Sequence, residues 1–302
     1  MADQENSAAT TAKPSHLEPS ELGTREYWDE LYTREISNHT ANPSDTGTNW
    51  FDDSGAQDKV LEFLATHLLS SSSSSSDHPT EAKKRTRTET SFLDLGTGNG
   101  ELLFGLRDEG WAGRMLGVDY SERSVEFARR INEVKQAEYH DEEEEEKEED
   151  EEDDEDEDEP NPSRQPVEFE QLDILSPPPA GSAVLSGAQN SGWDVVLDKG
   201  TFDAISLSSA TDSRGRRINE GYRASALRLV RNGGLFLITS CNWTEDELVQ
   251  WFADKTAFDE EEDQDLRGWT FEVVDRLKYR VFTFGGVKGQ TISSMCFRKV
   301  AR

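Results

Sequence analysis

Apolar and polar positions alternate with different periods along the chain, and the changes of period mark its elements. Between Arg25 and Tyr32 the residues Tyr27, Trp28, Leu31 and Tyr32 recur on one helical face, predicting a short helix. Residues 38–49 lose that period and read as a loop leading to Trp50 and Phe51. A second amphipathic helix is predicted from Gln57 to Leu69, with Val60, Leu61, Leu64 and Leu68 on its apolar side. From Ser91 the texture becomes strand alternating with helix. Strands are predicted at 91–95, 114–118, 167–172, 193–197 and 234–239, the last after the turn signal Asn232-Gly233. Helices are predicted from Leu102, from the cap Ser121 through Asn132, and over Tyr222 to Val230. Two late strands, 271–277 and 291–298, have only a loop between them. This order predicts an α/β fold: a mostly parallel sheet with helices on both faces and an antiparallel final hairpin.

Composition changes this picture mainly at the edges. Hydrophobic residues make up 33% of the 302, below the roughly 45–50% of ordinary globular domains. The deficit is local. Residues 1–20 are polar and read as a disordered tail, 21–69 as a helical segment covering the site, and 70–90 as a serine-rich linker. Residues 91–302 form the main domain, interrupted by an acidic insertion at 138–163 that is expected to be disordered. Eighteen acidic residues and one lysine fill Asp141–Glu159, so more than half of the net charge of −31 lies in one segment. Such a block cannot bury itself, and a solvated insertion is expected before a role in attracting a basic partner. The basic cluster Lys83–Arg87 reads as charged linker in preference to an import signal.

Cys241 and Cys296 are the two cysteines, without CxxC or Cys/His clustering, so no metal site is expected. No apolar run is long enough to span a membrane, and the N-terminal residues lack the apolar core of a secretory signal. A cytoplasmic location, with nuclear access open, and a monomer are the expectation. Without a basic patch, nucleic acid is not expected as substrate, nor is a membrane.

Candidate chemistry begins at Asp94-Leu-Gly96-Thr97-Gly98-Asn-Gly100, after a strand and before a helix. Glycines admit close backbone approach, and the helix start offers unpaired N–H groups. A dinucleotide fingerprint would read GxGxxG, but Glu101 stands where its third glycine belongs. GxGxG with an acid two residues earlier instead places a carboxylate near a cation, and S-adenosylmethionine carries a sulfonium and an ammonium. Asp119, followed by Tyr120, ends the next strand, where a carboxylate accepts ribose hydroxyls. Asp173 ends the third strand as an acceptor for an adenine amine, with Leu172 and Ile174 as apolar packing, and Asp198 ends the fourth. Any one of these is equally a loop or helix-cap aspartate. Their succession along one sheet edge favours a ligand site.

With these residues the chain resembles the seven-stranded, Rossmann-like S-adenosylmethionine-dependent methyltransferases, from about Gly23 to Arg298. Leu22–Asp29, Trp50-Phe51, Asp198–Leu207 (DKGTFDAISL) and Thr239–Thr244 (TSCNWT) are similar to the family that methylates a lysine of translation elongation factor 1-alpha. The resemblance implies a protein-lysine methyltransferase with that factor as substrate. A lysine amine must lose a proton before it attacks, which desolvation favours. Asp198 is the candidate to orient the ammonium and accept its proton, and it is also placed in the cofactor shell. Asn242 and Trp243 are candidates for the lysine channel. Trp28, Tyr32, Trp50 and Phe51 are candidates for a cover, or else for plain core packing. Lys199 reads as half of a surface ion pair. Two rivals stay open at this point: a small-molecule methyltransferase, and a non-catalytic interaction protein that uses the acidic run. Asp198-Lys-Gly-Thr does not fit the Asn/Asp-Pro-Pro-aromatic segment expected of a nucleic-acid aminomethylase.

Overall fold

A computed structural model describes residues 14–69, 86–149, 165–254, 266–284 and 287–302. Residues 1–13, 70–85 and 150–164, which hold most of the expected tail, linker and acidic insertion, lie outside that description.

Seven strands form one sheet. In chain order they are β1 (Phe92–Leu95), β2 (Met115–Asp119), β3 (Glu168–Gln171), β4 (Trp193–Lys199), β5 (Val230–Ser240), β6 (Trp269–Leu277) and, after a small hairpin of β7 (Phe282–Phe284) and β8 (Val287–Gly289), β9 (Ser293–Ala301). Their spatial order is β3-β2-β1-β4-β5-β9-β6. Strands β1 to β5 pair in parallel, and β9 runs antiparallel between β5 and β6. The hairpin β7–β8 replaces the plain loop that the sequence suggested. The Asn232-Gly233 signal is real but sits inside β5. Pairing with β4 jumps from Trp193↔Val230 to Val195↔Leu235, so the turn is a bulge.

Both faces of the sheet are buried, and side-chain alternation sorts the strand residues between two cores. Phe92, Met115, Val195, Leu197, Leu235 and Leu237 face helices α1 (Arg25–Ala41), α2 (Ala56–Leu69), α3 (Glu101–Asp108) and α4 (Glu122–Glu149). Leu93, Leu95, Leu116, Val118, Val196, Phe236 and Ile238 face α6 (Tyr222–Leu229) and α7 (Glu245–Phe252). Between β4 and α6 lies a short helix, α5 (Thr201–Ser206), too brief to show a period and absent from the sequence reading.

Several boundaries differ from expectation. Helix α1 continues to Ala41, past the point where a loop was expected to start. Helix α4 runs to Glu149, well beyond Asn132 and into the acidic segment. Glu and Lys are good helix formers even where they cannot be buried. The helix is also tethered beyond Asn132: Lys135 lies over the Phe104 ring at 5.6 Å and Tyr139 donates to Asp108 at 2.8 Å. Part of the expected tail is held as well. Leu17 packs on the second core, and the Ser20 amide donates to the Leu207 carbonyl at 3.0 Å. At the end of the expected linker, Arg87 lies over Trp111 at 5.5 Å and its carbonyl accepts from Ala112 at 2.9 Å.

Helix α7 starts on a capping box. The Thr244 hydroxyl accepts from the Glu247 amide, and the Glu247 carboxylate accepts from the Thr244 amide at 2.9 Å. Thr244→Ala is therefore expected to lower the unfolding free energy by about 1 kcal/mol in a urea titration, with Thr244→Ser close to the parent.

Candidate active site

The carboxyl ends of β1, β2 and β4 open on a cavity of about 300 Å³, roofed by the segment that precedes the main domain. Two glycines, Gly96 and Gly98, shape its floor, and a third follows them. Gly96, Gly98 and Gly100 have φ of 65°, 60° and 82°, in the left-handed region. A Cβ on Gly96 would meet Thr201 Oγ1 at 2.1 Å, and one on Gly98 would meet the Tyr32 hydroxyl at 2.8 Å. Gly96 and Thr97 donate their amides to the Val118 carbonyl at 2.8 and 3.0 Å, tying the loop to β2. Gly100, by contrast, packs toward Phe169 and starts α3 without lining the cavity.

Strand parity decides which aspartates reach the cavity. Asp94 shares the face of Phe92, and Asp119 shares the face of Met115, so both point to the side of α1 and α4 and both line the cavity. Asp94 is 3% exposed, and burial pushes its carboxyl up to about 7, with the Thr97 hydroxyl and the Lys199 charge offsetting only part of the rise. Burial also raises Asp119. Its Oδ2 accepts from the Gly98 amide at 3.2 Å and from Ser124 Oγ at 2.8 Å, and its Oδ1 accepts from the Ser121 amide at 2.9 Å. An ionised carboxylate offers about four acceptor positions, so one stays open toward the cavity, beside Tyr120. Asp173 lines the cavity too, but it is exposed two residues past β3 and bonds within its own turn, to the Leu175 amide at 3.0 Å and Ser176 Oγ at 2.9 Å. Ile174 and Leu172 supply apolar wall beside it.

Asp198 falls on the other face, with Val196, and does not line the cavity. It is 1% exposed, and its carboxylate accepts from the Thr201 amide at 2.8 Å, the Phe202 amide at 3.1 Å and the Tyr222 hydroxyl at 2.5 Å. Burial raises its carboxyl to about 8. The expected contact of Asp198 with a cofactor or an acceptor amine is therefore corrected: it is sealed under α5 and organises that helix. The parity of β4 carried this signal in the sequence. Trp243 is corrected in the same way. It is 3% exposed, packs on Phe202 and Trp251, and donates its indole N–H to Ser206 Oγ at 3.3 Å. Its neighbour Asn242 does line the cavity.

The aromatics offered as cover or core serve both ends, since Trp28 and Tyr32 belong to the first core. Trp28, Tyr32, Trp50 and Phe51 all line the cavity, with Trp28 and Trp50 centroids 5.3 Å apart. Phe51 has φ of 65°, a costly conformation for a bulky residue, and its ring lies against Gly200. Lys199, expected as a surface pair, is instead in the cavity wall. Its Nζ donates to Asn49 Oδ1 at 2.9 Å and to the Trp50 carbonyl at 3.0 Å, fixing the cover, and burial lowers its pKa. The sequence reading missed Asp203, whose buried carboxylate lines the cavity together with Cys241.

These residues fit the cofactor that the glycine pattern suggests. The cradle leaves no room for side chains at Gly96 and Gly98, Asp94 is a buried carboxylate suited to a cation, and Asp119 keeps an acceptor position. Among the described residues no group of His, Cys, Asp and Glu is arranged to hold a metal, and no helix is long and apolar enough to cross a membrane.

Comparison with known proteins places this geometry. A family model described as a methyltransferase domain matches residues 87–157. The chain is 36% identical to protein-lysine N-methyltransferase EFM4 of Saccharomyces cerevisiae, over 94% of this chain and 96% of that protein. It is 33% identical to efm4 of Schizosaccharomyces pombe with the same coverage. It is 29% identical to EEF1A lysine methyltransferase 2 of Homo sapiens, over 93% and 88%. Among solved structures, the [4+2]-cyclase SpnF aligns with a TM-score of 0.50 at 12% identity, over 96% of this chain and 100% of that one, a likeness of fold alone.

Two outcomes follow from the carboxylates. With Asp94 neutral below about pH 7 and ionised above it, affinity for S-adenosylmethionine is expected to fall about tenfold from pH 8 to pH 6 in calorimetry. Asp94→Asn should bind weakly at both and lose the dependence; an equally pH-dependent variant would remove Asp94 from the cationic contact. Asp198→Asn, which turns a donor toward two amides and a hydroxyl, is expected to cost about 2 kcal/mol of folding stability. Full stability with lost turnover would return Asp198 to a catalytic role.

Proposed function

The chain belongs to the family of protein-lysine N-methyltransferases that contains EFM4 and EEF1A lysine methyltransferase 2, and on that premise we propose that it methylates a lysine of translation elongation factor 1-alpha. The observation that carries the proposal is the match to those relatives over nearly their full length, joined to a cavity whose cradle and carboxylates fit S-adenosylmethionine. The small-molecule and non-catalytic readings give way to it.

When bound, S-adenosylmethionine would supply a methyl carbon on a cationic sulfur for transfer to the lysine nitrogen, with S-adenosylhomocysteine as the other product. The protein's part is placement and dehydration. Asp94 is assigned to the cofactor's cationic amino acid portion and Asp119, with Tyr120, to its ribose. The Gly96–Gly98 loop gives the backbone close approach, while Leu172, Asp173 and Ile174 flank the adenine. Trp28, Trp50 and Phe51 exclude water from the lysine stem, and Asn242 borders its path. Lys199, donating to Asn49 and the Trp50 carbonyl, holds that cover in place. The same proposal includes action as a monomer in the cytoplasm, with neither nucleic acid nor membrane as substrate. The acidic net charge of −31 supports it.

Incubating the purified chain with purified elongation factor 1-alpha and cofactor, followed by mass spectrometry of its peptides, is expected to show methyl groups on one lysine. An unmodified factor, with the cofactor still bound in a parallel titration, would overturn the assignment of substrate.

A further inference from the structure

Besides Asp94 and Asp119, a third buried carboxylate lines the cavity, and it stands on the opposite side of the sheet's switch point. The glycine loop and Asp119 lie over β1 and β2. Asp203, on α5, lies over β4 and β5, next to Cys241 and Asn242. It is 5% exposed. Its Oδ1 accepts from Ser240 Oγ at 2.5 Å and from the Asn242 amide at 3.4 Å, and its Oδ2 accepts from the Cys241 amide at 2.9 Å. Three of its roughly four acceptor positions are thus filled by the last residue of β5 and the loop that follows it. The fourth is left toward the cavity, beside the Cys241 thiol, which burial and then the nearby carboxyl push up. Among the described residues no Lys, Arg or His pairs with Asp203, and burial raises its pKa, as expected of a carboxylate still lacking a cation.

We propose that Asp203 receives the side-chain ammonium of the acceptor lysine, whose N–H takes the remaining acceptor position beside the Cys241 thiol. This rests on the reading of the chain as a lysine methyltransferase. When the ammonium loses a proton to water, a remaining N–H still donates to Asp203. That bond turns the nitrogen lone pair away from the carboxylate, toward the β1–β2 side where the cofactor is assigned. Asp203 thereby sets the preference for a basic amine over a neutral hydroxyl or amide. Its three fixed donors keep the carboxylate from following the substrate.

The test uses the full chain and two ligands: S-adenosylhomocysteine, and a bisubstrate probe in which nitrogen replaces its sulfur and carries, through a short carbon linker, a second basic amine with a butyl stem. In Asp203→Asn, S-adenosylhomocysteine affinity is expected within about twofold of the parent, while the probe's advantage over it falls at least about tenfold. The kcat/KM on elongation factor 1-alpha is expected to fall at least about a hundredfold, the scale of a buried charge losing its partner. Ser240→Ala loosens the same loop but keeps the carboxylate, and is expected to lose no more than about tenfold. Cys241→Ala removes the competing thiol beside the fourth acceptor position and is expected to tighten the probe by about threefold; this variant decides the matter if Asp203→Asn fails to fold. Equal probe binding by Asp203→Asn and parent, a Ser240→Ala loss as large as that of Asp203→Asn, or no tightening by Cys241→Ala would each overturn the proposal. A parent that leaves the elongation factor unmodified, yet shows the Asp203-dependent probe advantage, would remove the substrate assignment and leave Asp203 in place.

Discussion

The site depends on a carboxylate that never touches it. Asp198 ends β4 beneath α5 and holds the Thr201 and Phe202 amides and the Tyr222 hydroxyl. With Thr201 fixed there, its Oγ1 reaches the Leu95 carbonyl at 2.5 Å and fills the space over Gly96. The flanking residues of the same turn are fixed in consequence. Lys199 is directed to the cover, Gly200 leaves room for the Phe51 ring, and Asp203 is presented to the cavity. A single sealed carboxyl group thus sets the relative position of the glycine loop, the cover and the Asp203 side of the cavity. A buried polar group of this kind persists only where its hydrogen-bond partners are complete.

The electrostatics of the cavity follow from the same packing. Asp94, Asp119 and Asp203 are buried and raised by that burial, and Lys199 is the cation among their neighbours in the wall, itself held by the cover. Such an enclosure favours ligands that bring positive charge in, because each carboxylate regains by pairing what it lost by desolvation. A cationic cofactor and a cationic acceptor both satisfy that demand.

Much of the frame was legible in the sequence because apolar runs and terminal aspartates repeat along it. The seven strands of the main sheet, the glycine loop, Asp94 and Asp119 follow from local pattern alone. Asp198 was misassigned because ending a strand says nothing of which face a side chain takes; the alternation Val195, Val196, Leu197 contained the answer. Asp203 was missed because α5 is too short for periodicity and its partners, Ser240 to Asn242, are distant in sequence. The length of α4 was underestimated because charge repulsion was weighed and helix propensity was not. The cover was foreseen as aromatic, but its lock, Lys199 on Asn49 and Trp50, is a contact across about 150 residues that no local pattern records.

The place of β9 has a consequence for how the molecule assembles. Strand β6 is made before β9, yet its pairing in the sheet is with β9, which sits between it and β5. Until β9 is made, β6 has no partner in the sheet and β5 has only one of its two, while β1 to β4 have both their neighbours or an edge. The wall that carries Ser240 to Asn242 gains its second flank, Ser293 against Ser240, only when β9 slots in. Completion of the sheet and completion of the acceptor side are then one late event, so a chain paused before β9 holds a formed cofactor cradle beside an unfinished catalytic wall.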